Sequence, residues 1–137
     1  MDDERQAIQR QIESVPYWYH RIPIQPGLVT PGVNDCATTL ARLGLPDDCR
    51  GMRALDLGTR DGFFAFELER RGAQVLAVDY MPRDRSGFDI AARLVGYQGS
   101  YLQENIYNLS AEQIGSFDLV LFLGLLYHLP EIGRAHV

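Results

Sequence analysis

The sequence predicts an α/β fold: a parallel sheet with helices on its faces. Three observations carry this. From residue 53 onward, apolar runs of strand length alternate with helix-length amphipathic stretches. Glycines close those helical stretches at positions 72 and 96, where a helix stop needs left-handed backbone. An apolar run ending in ALDLGTRDG (54–62) is followed by a second apolar run, VLAVD, that ends in Asp79. Strand, helix, strand, helix in this order gives parallel strands, and right-handed crossovers place the first of them inside the sheet.

Element by element, residues 2–14 read as a helix with Ala7, Ile8, Ile12 and Val15 on one face and acids at its start, stopped by Pro16. Residues 17–35 read as an ordered loop, because a linker would lack Tyr17, Trp18 and Tyr19. A short helix follows at Cys36–Leu43 and ends at Gly44. Arg53–Leu57 is the first sheet strand, Asp61–Arg71 a helix, and Gln74–Asp79 the second strand. Phe88–Val95 is a helix and Ser100–Gln103 a strand. Ala111–Ile114 is a short helix capped by Ser110, and Phe117–Phe122 is the fourth strand.

Composition narrows the function classes. A chain of 137 residues with 46% apolar content is one domain at most, with material for a core. Net charge is −5 and no basic run occurs, so charge gives no support to sequence-independent nucleic-acid binding. Cys36 and Cys49 lack nearby Cys or His partners, which points to plain thiols in a reducing, cytoplasmic setting and to no metal site. The polar N-terminus resembles neither a signal peptide nor an anchor, and no apolar run approaches membrane-spanning length.

The turn after the first strand carries the chemistry. Gly58 lets the backbone turn close to a ligand, and Gly62 lets the next helix begin without a side chain in the way. Asp79, at the end of the second strand, is placed to accept both hydroxyl protons of a ribose. A nicotinamide-binding turn would read G-x-G-x-x-G, but Thr59 and Arg60 occupy the place of the middle glycine. Asp56 would also face the anionic phosphates of a dinucleotide. It suits a cationic ligand, and S-adenosylmethionine (SAM) carries an ammonium and a sulfonium but no phosphate.

ALDLGTRDG and VLAVD together resemble motifs I and II of the class I SAM-dependent methyltransferases. The resemblance implies a Rossmann-like sheet, of which about four strands are present, and SAM as cofactor. It places Asp56 and the backbone around Gly58 at the methionine end, with Thr59 and Gly62 also among the cofactor-binding residues. Asp79 falls on the ribose, and Tyr80 or Met81 on the adenine. ENIYNL (104–109) is similar to the adenine-holding segment, with Asn105 at the exocyclic amine and the Ile106 backbone at a ring nitrogen. FDLVLFLGLLYHLP (117–130) resembles the motif after the fourth strand, where Leu123 and Gly124 pass the sulfonium.

WYHRIPIQPGLVTPG (18–32) is similar to the W-Y-H-x-I…G-x-x-T-x-G segment of the tRNA (mo5U34)-methyltransferase-like group, and the likeness extends over roughly residues 15–130. It implies a methyl acceptor that is either a tRNA base or a small molecule. His128, with Tyr127 beside it, is a candidate general base, and His20 a candidate cap on the pocket; both histidines also suit purely structural roles. Trp18 and Tyr19 suit either shielding of the sulfonium or packing.

These readings divide the chain into a cap segment (1–50), a SAM-binding half domain (51–130) and a tail (131–137). The tail, EIGRAHV, back-translates to a run used in sequencing-library adapters and is expected to be non-native, with the native chain continuing beyond Pro130. The fourth strand would then present an apolar edge prone to non-native self-association. Two other function classes remain open on sequence: a SAM- or partner-binding module without catalysis, and an NAD-dependent Rossmann enzyme.

Overall fold

The computed structural model describes residues 2–123; the expectations for Gly124, Tyr127, His128 and the tail lie outside the described residues. The chain forms α1 (Asp2–Glu13), β1 (Pro23–Gln25), β2 (Leu28–Val29), α2 (Cys36–Leu43), β3 (Arg53–Leu57), α3 (Phe63–Arg70) and β4 (Gln74–Asp79). It continues with α4 (Phe88–Val95), β5 (Ser100–Gln103), a 3-10 turn (Ile106–Asn108), α5 (Ala111–Ile114) and β6 (Leu119–Leu121). The main sheet is parallel, in the order β5-β4-β3-β6, so the first of its strands lies inside the sheet.

Side-chain alternation along the strands builds two cores. Ala54, Val75 and Ala77 face α3 and α4, where Leu68, Phe88 and Ala91 are fully buried. Leu55, Leu57, Val78 and Phe122 form the opposite face with Ile106, Leu109 and Ile114 packed on them. Each fully buried Leu or Phe contributes about 2 kcal/mol by leaving water. Small residues at Ala54 and Ala77 let α3 approach closely. Asp56 shares their face, so its carboxylate points under the start of α3 rather than to solvent.

The segment expected to be a loop is a strap with a small sheet of its own. β1 and β2 pair as an antiparallel hairpin, and His20 bridges to Asn34. Periodicity missed the hairpin because its strands are only three and two residues long. Thr30 holds the strap closed: its Oγ1 donates to the His20 carbonyl at 2.6 Å and accepts from the Ile22 N–H at 2.8 Å. Gly32 passes so near that a Cβ there would sit 2.1 Å from the His20 carbonyl carbon. The T-x-G of this segment is thus a crossing device. Arg5 ties α1 to the hairpin turn through the Pro26 and Gly27 carbonyls.

α3 begins two residues later than the sequence predicts. Gly62 has φ +97°, and the Asp61 carboxylate is engaged by backbone from other segments, so neither residue joins the helix. A Cβ on Gly62 would come within 2.4 Å of Phe66 and 2.8 Å of Phe88. This glycine therefore makes room for the core as well as for the turn. β6 is shorter than the expected fourth strand, and among the described residues it forms one edge of the sheet. No described helix is long and apolar enough to cross a membrane.

Candidate functional site

Parallel strands in register bring their C-terminal ends to one edge, and this is where the chemistry collects. Leu57 pairs with Val78, and Asp79 pairs with Gln103. The Gly58 and Thr59 N–H groups both donate to the Val78 carbonyl, at 2.8 and 3.1 Å, which folds the turn back over the end of β4. Asp79 then meets the turn: its Oδ2 accepts from the Arg60 N–H at 3.0 Å and its Oδ1 from the Met81 N–H at 3.2 Å. The Glu104 N–H donates to the Asp79 carbonyl, bringing the 104–106 segment alongside. Asn105 is exposed and its Oδ1 accepts from the Tyr107 N–H, capping the 3-10 turn. Tyr80 is exposed and Met81 half-buried. Leu123 packs against the core.

Asp56 is the outlier of this edge. It is 2% exposed, and its Oδ2 has no hydrogen-bond partner; the buried Thr59 Oγ1 has none either. The two groups are close, but not in hydrogen-bond geometry. Burial pushes the Asp56 carboxyl from 3.8 up to about 7, and the Asp79 charge pushes it the same way, while Thr59 and the Ala65 backbone offset part of the rise. Buried polar atoms without partners are rare in folded proteins. A carboxylate acceptor and a hydroxyl left open beside a ribose-type acid fit the ammonium end and the sugar of SAM.

Asp61, which the sequence reading passed over, is equally buried but fully satisfied. Its Oδ2 accepts from the Tyr19 and His20 N–H groups at 2.7 and 2.9 Å, and its Oδ1 from the Gly87 N–H at 2.8 Å. One side chain thus holds the strap, the turn and the start of α4 together. His20 is buried and its Nδ1 accepts from the Phe63 N–H at 3.3 Å, capping the otherwise uncapped start of α3. The ring proton therefore lies on Nε2. Burial lowers the His20 pKa to about 4, with Asp61 opposing and Arg60 reinforcing, so the ring is neutral near pH 7. Phe63 and Phe64 are both buried and meet the His20 ring edge-on.

Trp18 is buried, with its Nε1 donating to the Ile12 carbonyl at 2.9 Å and its ring pressed on Gly87. Tyr19 lies under the Arg60 guanidinium, 4.1 Å from the ring centroid. Cys36 and Cys49 are free, buried thiols, and burial raises Cys36 to about 11. Among the described residues no group of three or more His, Cys, Asp or Glu is placed to hold a metal.

A parallel sheet with a glycine turn at β3, an acid at the end of β4 and an open buried carboxylate beneath the turn defines a class I, SAM-dependent methyltransferase domain. Residues 55–136 match the family described as methyltransferase domain, and the chain belongs to that family. A relative is the ubiquinone biosynthesis O-methyltransferase of Xanthomonas oryzae pv. oryzae (strain PXO99A), 38% identical over 88 residues, which are 61% of this chain and 35% of that protein. The chain spans about a third of the length of the curated relatives it matches.

Two solved structures share the fold. The N-terminal domain of EvdMO1, crystallised in the presence of S-adenosylhomocysteine (SAH) and D-fucose, superposes with a TM-score of 0.72 at 24% identity, covering 93% of this chain and 56% of that one. The bifunctional kinase-methyltransferase WbdD gives 0.60 at 22% identity, covering 88% and 29%.

Proposed function

We propose that the full protein transfers a methyl group from SAM to an oxygen atom of a small molecule. The open Asp56 carboxylate beside the Asp79 ribose position is the single observation that supports the cofactor half most strongly. The O-methyltransferase relative supports oxygen as the acceptor atom and a small molecule as its carrier. Bound SAM supplies a methyl on a sulfonium, which the acceptor oxygen takes by in-line displacement, releasing SAH.

This chain's residues bind and orient. Asp56 and the turn at Gly58 and Thr59 would hold the methionine end. Asp79 would accept from the ribose hydroxyls, while Tyr80, Met81, Asn105 and the Ile106 backbone would border the adenine. Gly62, by its packing, sets where α3 begins above them. Orientation in a water-poor site supplies most of such a rate. His20, neutral and engaged with Phe63, has a positioning role. The acceptor proton needs a base, for which His128 beside Tyr127 is the proposal, with Leu123 and Gly124 along the sulfonium.

The test is binding of SAH by calorimetry, and transfer of labelled methyl from SAM by the full-length protein to hydroxyl-bearing small molecules and to tRNA. Transfer to the small molecules supports the reading. Transfer to tRNA alone would replace it with the tRNA (mo5U34)-like reading that the 18–32 segment suggests. SAH binding without transfer to either would favour a binding module.

A further inference from the structure

Beside the cofactor edge lies a cleft of about 120 Å3 between the strap and the loop after β4. Arg60 and Arg85 line it, with Tyr17 and Tyr19 on the strap side and Met81 and Ser86 on the loop side. Among the described residues neither Arg60 nor Arg85 has a carboxylate within 4.0 Å, a condition several other arginines share. The cleft does contain an acid, Asp61, but both its oxygens are occupied by backbone N–H groups. Asp84 and Asp89 border the neighbouring cleft on the far side of Arg85, and Asp89 is engaged by Arg83. Two guanidinium groups sharing one cleft repel unless an anion joins them.

Arg60 is also held in place. It has φ +52°, the one non-glycine residue with positive φ among those described. That conformation is strained for an L-residue, and a glycine here would avoid the strain. Its N–H is fixed by Asp79, its carbonyl accepts from the Ser86 hydroxyl at 3.2 Å, and its guanidinium carbon sits over the Tyr19 ring. A planar, weakly hydrated donor fork presented on an aromatic face is preorganised for bidentate oxyanion recognition.

We propose that the cleft between Arg60 and Arg85 binds an oxyanion, a phosphate or carboxylate group. On the methyl-transfer reading, on which this part rests, that group belongs to the acceptor. Arg60 connects the two sites, since its backbone N–H donates to Asp79 while the residue lines the cleft.

The test is calorimetric titration of the full-length protein, saturated with SAH, with inorganic phosphate and separately with acetate. Wild type should bind at least one of them. Arg85→Gln and Arg60→Gln should each weaken that binding by roughly tenfold or more, the loss of a charge-assisted hydrogen bond. Arg85→Gln should bind SAH as wild type does, which shows that the fold is intact. Tighter phosphate than acetate assigns a phosphoryl group, and the reverse assigns a carboxylate. No binding of either anion to wild type, or binding by both variants as tight as by wild type, overturns the proposal. Anion binding that needs Arg85 in a protein that does not bind SAH would leave the cleft standing and remove the methyltransferase reading.

Discussion

Asp56 and Asp61 lie five residues apart around one turn, are each 2% exposed, and live in opposite conditions. Asp61 receives three backbone N–H groups from two distant segments. Asp56 Oδ2 receives nothing. The difference teaches how one loop separates its duties. The satisfied carboxylate ties the scaffold together; the other, which the proposed function assigns to a ligand, is raised by burial to about 7.

The largest expected effect is at the scaffold acid. Asp61→Ala strands three backbone donors, two of them buried, and should cost about 3–5 kcal/mol, read as the shift in urea midpoint at constant slope. A loss below 1 kcal/mol would erase the distinction between the two acids. Next comes Asp79→Ala, which removes a charged acceptor at the proposed ribose position. SAH affinity should fall about a hundredfold in calorimetry, with a smaller loss of stability from its two backbone partners.

Asp56→Asn sharpens the contrast. It should weaken SAH binding about tenfold yet raise the melting temperature at pH 8, because it removes a buried charge that the unliganded protein tolerates poorly. A lower melting temperature there would mean that the carboxylate is structural after all. The wild-type affinity for SAH should likewise fall below pH 7, as protonated Asp56 loses its attraction for the ammonium; titrations at pH 6 and 8 give the direction.

The smallest effect is in the pH dependence of stability. Asp56 has its carboxyl raised from 3.8 to about 7, so its contribution is fully present below 3.8 and is lost as pH rises through 7. His20 is lowered from 6.5 to about 4, so its contribution is present above 6.5 and is lost as pH falls through 4. The two slopes oppose each other over most of that window. Asp56→Asn should leave stability rising with pH between 4 and 6.5, and His20→Gln should leave it falling between 4 and 7. Identical profiles in both variants would show that neither group titrates as placed.

The sheet was legible because its strands are apolar runs and its helices end at glycines, signals confined to neighbouring residues. Asp56, Gly58 and Asp79 were legible for the same reason, since spacing along the chain sets their positions at the strand ends. The Asp61 clamp was not, because its partners lie 41 and 42 residues away in sequence and 26 the other way. Nothing in TRDG tells which acid faces a ligand and which faces backbone. The 17–35 hairpin was missed because strands of three and two residues are too short to repeat an alternation and are held by Thr30 and Gly32. The cleft of Arg60 and Arg85 joins residues from two loops, so it exists only once β3 and β4 are paired.

The clamp also orders events in time. β3, α3 and β4 are close in sequence and can assemble early, whereas the strap must close a loop of some forty residues to reach Asp61. Until it docks, the carboxylate is solvated and costs nothing. Once docked, peeling the strap away exposes two donors and a charge together, so the strap should open as one unit. Amides of Tyr19 and His20 would then exchange with a common opening free energy, lower than that of β3 and β4.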